Sequence, residues 1–390
     1  MFKRFLQKLL RRQIIKNYDK DITGSPSGRV LLYYKTDPFV IRSLIQDYIH
    51  TNYWEIVEMV RIFNKLGYVV DIIDRTIDFK KIQGIENKYD IFLGIGAGDS
   101  GHFYSDIAEK VPSAVKILYA MGPEPVLSND LIKKRYDYFY ERHPGLSLEM
   151  RRLITKVDVD KVMKQTDAII INGNEFTANS YSLFNKDIYR VFSSSHPSLE
   201  ADSNQLSNRY QNKFLYFGGN GNIVKGLDLV IEAFTGLPNL ELYIGAPDYE
   251  EEFNKIFLPI IKESKNIHFL GFVKVGSPLF EDITSKCGYV ILPSCSEGCA
   301  TSVTTCMRRG LVPVVTYETG LDVDNFGYII KDIKIDNFRK QIVEISNEPR
   351  DKFIKRSFDT YSESFQYTQD NFSKTFEQTI LKIIYKNKKS

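Results

Sequence analysis

One stretch of the chain decides the fold, residues 292–315, which read LPSCSEGCATSVTTCMRRGLVPVV. An apolar run ends at Leu292, small residues form a turn through Gly298, a helix-length segment follows, and Leu311–Val315 is apolar again. We interpret this as strand, turn, helix and strand. Small residues at such a turn let backbone amides approach a ligand, and the positive end of the helix dipole then faces a bound anion. The stretch therefore predicts an anion site.

Strand-like and helix-like segments alternate along the rest of the chain in two series. In the first series the strand-like runs are Arg29–Tyr34, Tyr68–Asp74, Tyr89–Gly96, Val115–Met121, Ala168–Asn172 and Asp187–Phe192. In the second they are Lys213–Phe217, Leu240–Gly245, Ile267–Phe272, Tyr289–Leu292, Val312–Thr316 and Tyr328–Ile330. Such alternation predicts parallel sheets covered by helices on both faces, and 390 residues fit two domains.

The domain boundaries follow from this alternation. We expect an N-terminal segment at 1–24, a first Rossmann-like domain at 25–200 and a second at 213–365, followed by a C-terminal helix at 366–390 that packs back on the first domain. The polar segment Ser193–Asn212 lacks a hydrophobic period and is interpreted as the linker between the domains.

Composition excludes several classes of protein. A hydrophobic content of 43% with 26% charged residues is typical of a globular protein, and no apolar run is long enough to span a bilayer. The formal charge of only +3 gives no reason to expect nucleic acid as a partner. The four cysteines, which lie between Cys287 and Cys306, lack zinc-ligand spacing, and no secretory signal is seen, so we expect a cytoplasmic protein.

The first twelve residues have the two faces of an interfacial helix. Apolar residues from Phe2 to Leu10 recur at helical spacing, and five basic residues between Lys3 and Arg12 take the other face. Such a helix binds an anionic membrane surface, or it packs on its own domain. Both interpretations stay open, and the first makes the protein peripheral on the inner membrane face.

A glycine-rich segment follows the first strand of the second series. Residues 216–228 read YFGGNGNIVKGLD and lead into a helical pattern. Lys225 stands before the helix, where an ammonium can offset the charge of a leaving group. The alternative is an ordinary surface lysine.

The pattern P-S-x-x-E-G, a helix and G-x-x-P-V-V resembles the donor site of family 4 retaining glycosyltransferases, the group 1 type. The resemblance implies that Glu297 contacts the donor sugar. It also implies that backbone amides of the next four residues bind sugar and diphosphate: Gly298, Cys299, Ala300 and Thr301. A second glutamate of the family, which binds the ribose, is replaced here by Thr305.

The glycine-rich segment is similar to the loop in which that family pairs an arginine with a lysine on the donor diphosphate. Lys225 matches the lysine, whereas Asn220, after Gly219, stands where the arginine is usual. Two further segments match in order: a strand that ends at Gly245, and another that ends with Phe272 and Val273 against the nucleotide base.

The first domain offers one further candidate. Gly96–Gly101 has the spacing G-x-G-x-x-G, but a dinucleotide-binding loop should follow the first strand, so cofactor binding is disfavoured. We expect this loop to face the cleft between the domains, which places His102 near the acceptor as a catalytic candidate. A structural histidine is the alternative.

The resemblance implies a GT-B fold, with two Rossmann-like domains whose parallel sheets face a central cleft. It implies transfer of a hexosyl group, with retention, from a nucleoside-diphosphate sugar to a glycan or lipid-linked acceptor, as in polysaccharide biosynthesis. No cofactor or metal is expected, because the D-x-D pairs at 158–160 and 322–324 lie in a predicted helix and a predicted loop. Asn220 and Thr305 leave open a catalytically impaired binding or regulatory protein, and a sugar-nucleotide epimerase of the same fold is a further alternative.

Overall fold

The computed structural model describes residues 13–41, 51–83, 85, 89–197, 200–247 and 250–387. The chain forms two compact units. Within the described residues, unit 1 comprises the chain up to Val126, Ile154–Ser194 and the segment from Gln369 onward, whereas unit 2 comprises Leu127–Leu153 and Ser195–Thr368. This division differs from an uninterrupted first domain at 25–200, because residues 127–153 group with the second unit.

Strands and helices alternate as the sequence predicts. The strands are β1 Ile14–Tyr18, β2 Gly28–Tyr34, β3 Tyr68–Asp74, β4 Ile91–Gly94, β5 Val115–Ala120, β6 Ala168–Ile171, β7 Asp187–Arg190, β8 Tyr210–Phe217, β9 Glu241–Gly245, β10 Ile267–Gly271, β11 Cys287–Leu292, β12 Val312–Val315 and β13 Tyr328–Ile329. The α-helices are α1 Asp37–Val40, α2 Thr51–Lys65, α3 Tyr104–Lys110, α4 Pro125–Arg142, α5 Val159–Gln165, α6 Glu175–Ser180, α7 Ser203–Ser207, α8 Leu227–Thr235, α9 Glu251–Glu263, α10 Pro278–Lys286, α11 Thr301–Met307, α12 Ile335–Ser346, α13 Arg350–Glu363 and α14 Gln369–Asn387.

The sheet of unit 1 has the order β1-β3-β2-β4-β5-β6-β7. All its pairs are parallel except β1 with β3, which is antiparallel. The residues of β2 from Val30 to Tyr34 are fully buried, as expected for a parallel strand with helices on both faces. Helix α14 contributes Phe372, Phe376 and Ile380 to the core on one face of this sheet.

The sheet of unit 2 is entirely parallel and has the order β10-β9-β8-β11-β12-β13. From β8 the chain winds outward to β9 and β10, then returns to β11 on the other side of β8 and winds outward in the opposite direction. The switch point therefore lies between β8 and β11. In open α/β sheets, ligands bind outside the carboxyl ends of the strands at this point.

Two elements differ from the sequence-based expectations. Strand β1 was not predicted, because Ile14–Tyr18 mixes apolar and polar residues and pairs only at the sheet edge. The predicted linker contains α7, which Asp202 and Gln205 cap reciprocally, and β8 begins within it at Tyr210. Asp followed three residues later by Gln is a capping-box signature, so the sequence did carry a signal for this helix.

Candidate functional site

Lys225 and Glu297 lie side by side in unit 2 although 72 positions separate them in the chain. Lys225 is in the loop between β8 and α8, and Glu297 is in the turn between β11 and α11. Strands β8 and β11 are parallel neighbours, so the two loops meet at the switch point of the sheet. The ammonium donates a hydrogen bond to the carboxylate, and only 12% and 11% of the two side chains are exposed.

Arg152 joins this pair from a different part of the chain. Its Nη1 lies 2.8 Å from Oε1 of Glu297, and its Nη2 lies 3.4 Å from Oε2, so the guanidinium fork faces both carboxylate oxygens. The hydroxyl of Ser294 donates to Oε1 at 3.2 Å. Sequence reasoning missed Arg152, because the segment after α4 has no hydrophobic period and two consecutive arginines are too common to mark a site.

The charges in this cluster depend on one another. Burial alone would raise the pKa of the Glu297 carboxyl, but the charges of Arg152 and Lys225 outweigh burial and lower its pKa to about 2. Burial lowers the pKa of Lys225; Glu297 opposes this effect and Arg152 adds to it. The charge of Glu297 raises the pKa of Arg152. Glu297 is therefore ionised at neutral pH and balances one of its two cations.

The glycine-rich loop beside Lys225 is held by a buried acid. A carboxylate oxygen of Glu250 accepts hydrogen bonds from the amides of Gly221, at 2.5 Å, and Asn222, at 3.1 Å. Gly221 has a φ of +94°, a conformation that favours glycine. Gly219 and Asn220 are exposed at the outer bend of the loop.

The turn after Glu297 is partly closed by its own hydrogen bonds. The amide of Ala300 donates to the carbonyl of Thr319 at 3.0 Å, and that of Thr301 donates to the carbonyl of Cys299 at 2.8 Å. Gly298 is buried. A Cβ at Gly320 would lie 1.7 Å from the carbonyl oxygen of Gly298, so the turn after Glu297 and the loop at Gly320 contact each other through their backbones. In this conformation, two of the four amides expected to meet a donor are engaged within the protein.

Thr305, expected at the ribose, lies on the inner side of α11. Only 5% of the surface of Thr305 is exposed, and its hydroxyl donates a hydrogen bond to the carbonyl of Thr301 at 2.7 Å. Hydroxyls often bond four residues back in this way when a helix turns them inward. The hydroxyl of Thr305 therefore has an intrahelical partner, and its contact with the ribose stays a prediction.

The remaining donor-site candidates lie at the ends of β9 and β10. Gly245 ends β9, and a Cβ there would lie 2.9 Å from the Phe217 ring, so glycine allows these strands to approach. After β10, Phe272 is 71% exposed whereas Val273 is buried. An exposed aromatic ring is suited to stacking on a flat ligand.

His102 belongs to unit 1, where it follows β4. Its Nδ1 lies 2.7 Å from the carbonyl oxygen of Asp99, and its ring packs against Phe103 with centroids 3.9 Å apart. Residues 99–101 form a single 3-10 turn rather than the long helix that follows a dinucleotide-binding loop. The structure thus ties one nitrogen of His102 to its own loop.

Three further expectations concern metal binding, membrane spans and the amino-terminal segment. No group of three or more His, Cys, Asp and Glu side chains placed to hold a metal ion occurs among the described residues. No helix in the part of the chain that the structure describes is long and apolar enough to cross a membrane. The amphipathic segment 1–12 lies outside the described residues.

Two units, each with a wound, mainly parallel sheet, define the GT-B class of glycosyltransferase fold. Solved structures of this class match the chain, whereas no family model and no curated protein matches it. Trehalose-6-phosphate synthase from Burkholderia multivorans is 8% identical, with 93% of this chain and 99% of that chain covered and a TM-score of 0.61. HepE from Anabaena, solved with UDP and glucose, is 12% identical, with 92% and 100% covered and a TM-score of 0.58.

TarM from S. aureus is a larger protein of similar structure. It is 11% identical, with 75% of this chain and 55% of that chain covered and a TM-score of 0.51. This chain therefore spans about half the length of TarM. At these identities the comparisons establish a shared fold.

Proposed function

We propose that this protein is a glycosyltransferase that moves a hexosyl group from a nucleoside-diphosphate sugar to a glycan or lipid-linked acceptor. The observation that carries the proposal is the pairing of Lys225 with Glu297 at the switch point of unit 2. The fold predicts a ligand at this position, and the resemblance of the sequence predicts these two residues. The complex of HepE with UDP and glucose supports the same class of donor.

In the proposed reaction, the bond between the anomeric carbon and the diphosphate breaks through an oxocarbenium-like transition state. Negative charge then develops on the leaving diphosphate, and the ammonium of Lys225 stabilises it electrostatically. In this proposal the carboxylate of Glu297 accepts hydrogen bonds from the hydroxyls of the donor sugar. The acceptor oxygen forms its bond to the anomeric carbon on the face that the diphosphate leaves, so the configuration is retained, and the leaving phosphate takes the proton of the acceptor hydroxyl. Because fixed cations balance the charge, the proposal requires no metal ion.

The acceptor is assigned to unit 1. Ligands of parallel sheets bind at the carboxyl ends of the strands, and the loop with His102 follows β4 at such an end. We propose that His102 contacts the acceptor. Association with an anionic membrane through residues 1–12 belongs to the same proposal, since it would bring the protein to lipid-linked acceptors.

A donor screen tests the proposal. The thermal unfolding temperature is measured with UDP, GDP, ADP, CDP and dTDP and with their sugars, for the unchanged protein and for Lys225→Ala. We expect one nucleotide series to stabilise the unchanged protein, with a smaller shift for the variant, because ligand binding stabilises the folded state. Stabilisation by none of these compounds would contradict the proposal. Stabilisation without turnover of any donor sugar would favour a binding or regulatory protein, the alternative that Asn220 and Thr305 leave open.

A further inference from the structure

The cluster at the switch point of unit 2 contains one cation more than its carboxylate can balance. Arg152 and Lys225 both contact Glu297, so the three ionised side chains sum to a formal charge of +1. Without Arg152 the sum would be zero. Glu250 and Arg151 form a neighbouring pair of opposite charges, with 3.8 Å between Oε2 and Nε, and do not change this balance.

Arg152 lies against the loop where the sequence departs from its resemblance. The Cδ of Arg152 is 2.8 Å from the position that a Cβ on Gly221 would take, so the side chain runs over Gly221 because that residue has none. Asn220, the preceding residue, is exposed and uncharged where the resemblance implies an arginine. The aliphatic part of the Arg152 side chain thus lies against Gly221, the residue that follows the position where a loop cation is missing.

The backbone of Arg152 also has an unusual conformation. Its φ is +67°, in the left-handed region that a residue with a side chain rarely adopts. A strained backbone is often found where a side chain is held for function. The side chain keeps 37% of its surface exposed, compared with 12% for Lys225 and 11% for Glu297, so it is the most open of the three side chains.

We propose that Arg152 is a binding residue for the donor diphosphate and replaces, from a different segment of the chain, the arginine that the glycine-rich loop lacks. Without donor, Glu297 occupies the guanidinium fork. When the diphosphate binds, its oxygens take over the fork and the ammonium of Lys225, and Glu297 is released to accept hydrogen bonds from the sugar. Guanidinium binds phosphate in the same bidentate manner as carboxylate, so the exchange requires no new geometry.

This inference rests on the proposed function, and a set of variants tests the two separately. Affinities are measured by calorimetry for the nucleoside diphosphate that binds best among UDP, GDP, ADP, CDP and dTDP, and for its parent nucleoside. The proteins are the unchanged chain, Arg152→Gln, Arg152→Lys and Arg152→Gln combined with Asn220→Arg. Lys255→Gln, which removes one exposed positive charge from unit 2, is the control for long-range electrostatics.

We expect Arg152→Gln to weaken diphosphate binding about 10- to 100-fold, since one charge-assisted bidentate contact is lost. Binding of the nucleoside should stay the same. Arg152→Lys should give an intermediate loss of affinity, because it keeps the charge without the fork. Adding Asn220→Arg to Arg152→Gln should raise the diphosphate affinity at least about tenfold above that of Arg152→Gln alone. Lys255→Gln should have no measurable effect.

Other results overturn the inference in distinguishable ways. Unchanged diphosphate binding by Arg152→Gln would remove Arg152 from the site and leave the proposed function in place. Equal losses for diphosphate and nucleoside, without rescue by Asn220→Arg, would show that Arg152 only supports the structure. If Arg152→Gln does not fold, Arg152→Lys replaces it in the test, and an unchanged affinity of Arg152→Lys for the nucleoside diphosphate would overturn the proposed bidentate binding. Failure of the unchanged protein to bind any of the nucleotides would overturn both proposals.

Discussion

Two buried carboxylates show how the surroundings of a residue set its charge. Glu297 is held ionised by two cations in direct contact, whereas Glu55, 2% exposed on α2, has weaker support for its charge. Burial raises the pKa of Glu55 to about 7, and the amide of Ser194 at 2.9 Å and the charge of Lys35 only partly oppose this effect. Glu55 therefore binds its proton more tightly in the folded protein than in the unfolded chain.

The raised pKa predicts a dependence of stability on pH. A carboxyl whose pKa is raised in the folded state leaves the free energy of unfolding unchanged below about pH 4.5. As the pH rises to 7 it lowers the free energy of unfolding progressively, and the loss is complete above that pH. A shift of this size corresponds to roughly 3 kcal/mol. Glu55→Gln removes the ionisation, so its free energy of unfolding relative to the unchanged protein should increase by about 2 to 3 kcal/mol between pH 4.5 and 8.

Trp54, the only tryptophan of the chain, lies next to Glu55 and reports unfolding of unit 1 in urea through its fluorescence. The matched control is Glu175→Gln, which changes an exposed acid of the same unit and should alter stability little at any pH. A difference between Glu55→Gln and the unchanged protein that does not vary with pH would contradict the assignment.

Helix α4 shows what an element contributes to unit 2. Near its end, Arg142 donates to Oδ2 of Asp228 at 2.5 Å and to Oε2 of Glu232 at 2.9 Å, both on α8. Asp228 is completely buried and Arg142 is only 12% exposed, so this pair is shielded from solvent. The amide of Ile335 donates to the hydroxyl of Tyr138 at 3.0 Å. These contacts explain why residues 127–153 group with unit 2.

Arg142→Ala should destabilise unit 2 by about 3 to 5 kcal/mol, because it leaves Asp228 buried without its partner. Combining Arg142→Met with Asp228→Asn should cost considerably less, since no fully buried carboxylate is then left without its partner; Glu232 loses Arg142 in both variants. Denaturant unfolding followed by hydrogen exchange at α8 measures both effects. A loss below 1 kcal/mol for Arg142→Ala would show that water compensates the carboxylate.

Elements with strong local signals could be predicted from the sequence. The predicted bounds of β3 agree with the observed ones because this mainly apolar, fully buried run begins directly after Gly67. The contact between the loops after β8 and β11 could be predicted, because both loops follow the carboxyl ends of parallel strands. Arg152 could not be predicted, since its segment has no period and its position depends on packing. The contact of Thr305 with a ribose stays a prediction, because packing decides which face of α11 is buried and the sequence alone does not show it.

At the scale of the whole molecule, residues 1–12 predict attachment to a membrane surface. Deleting these residues should abolish cosedimentation with anionic vesicles at low salt, because the apolar face and the basic residues act together. Replacing Phe2, Phe5 and Leu6 by serine keeps the charge and tests the apolar face alone. Equal pelleting of the truncated and unchanged proteins would contradict the prediction.

The central claim concerns turnover of a donor sugar by unit 2. The most direct measurement is the rate of nucleoside diphosphate release from the donor selected in the screen, with glycan and lipid-linked acceptors supplied, for the unchanged protein and for Lys225→Ala. We predict a rate about 10² to 10³ times lower in the variant, by analogy with the loss of one donor that stabilises transition-state charge. The same release by both proteins, or none by either, would contradict the account.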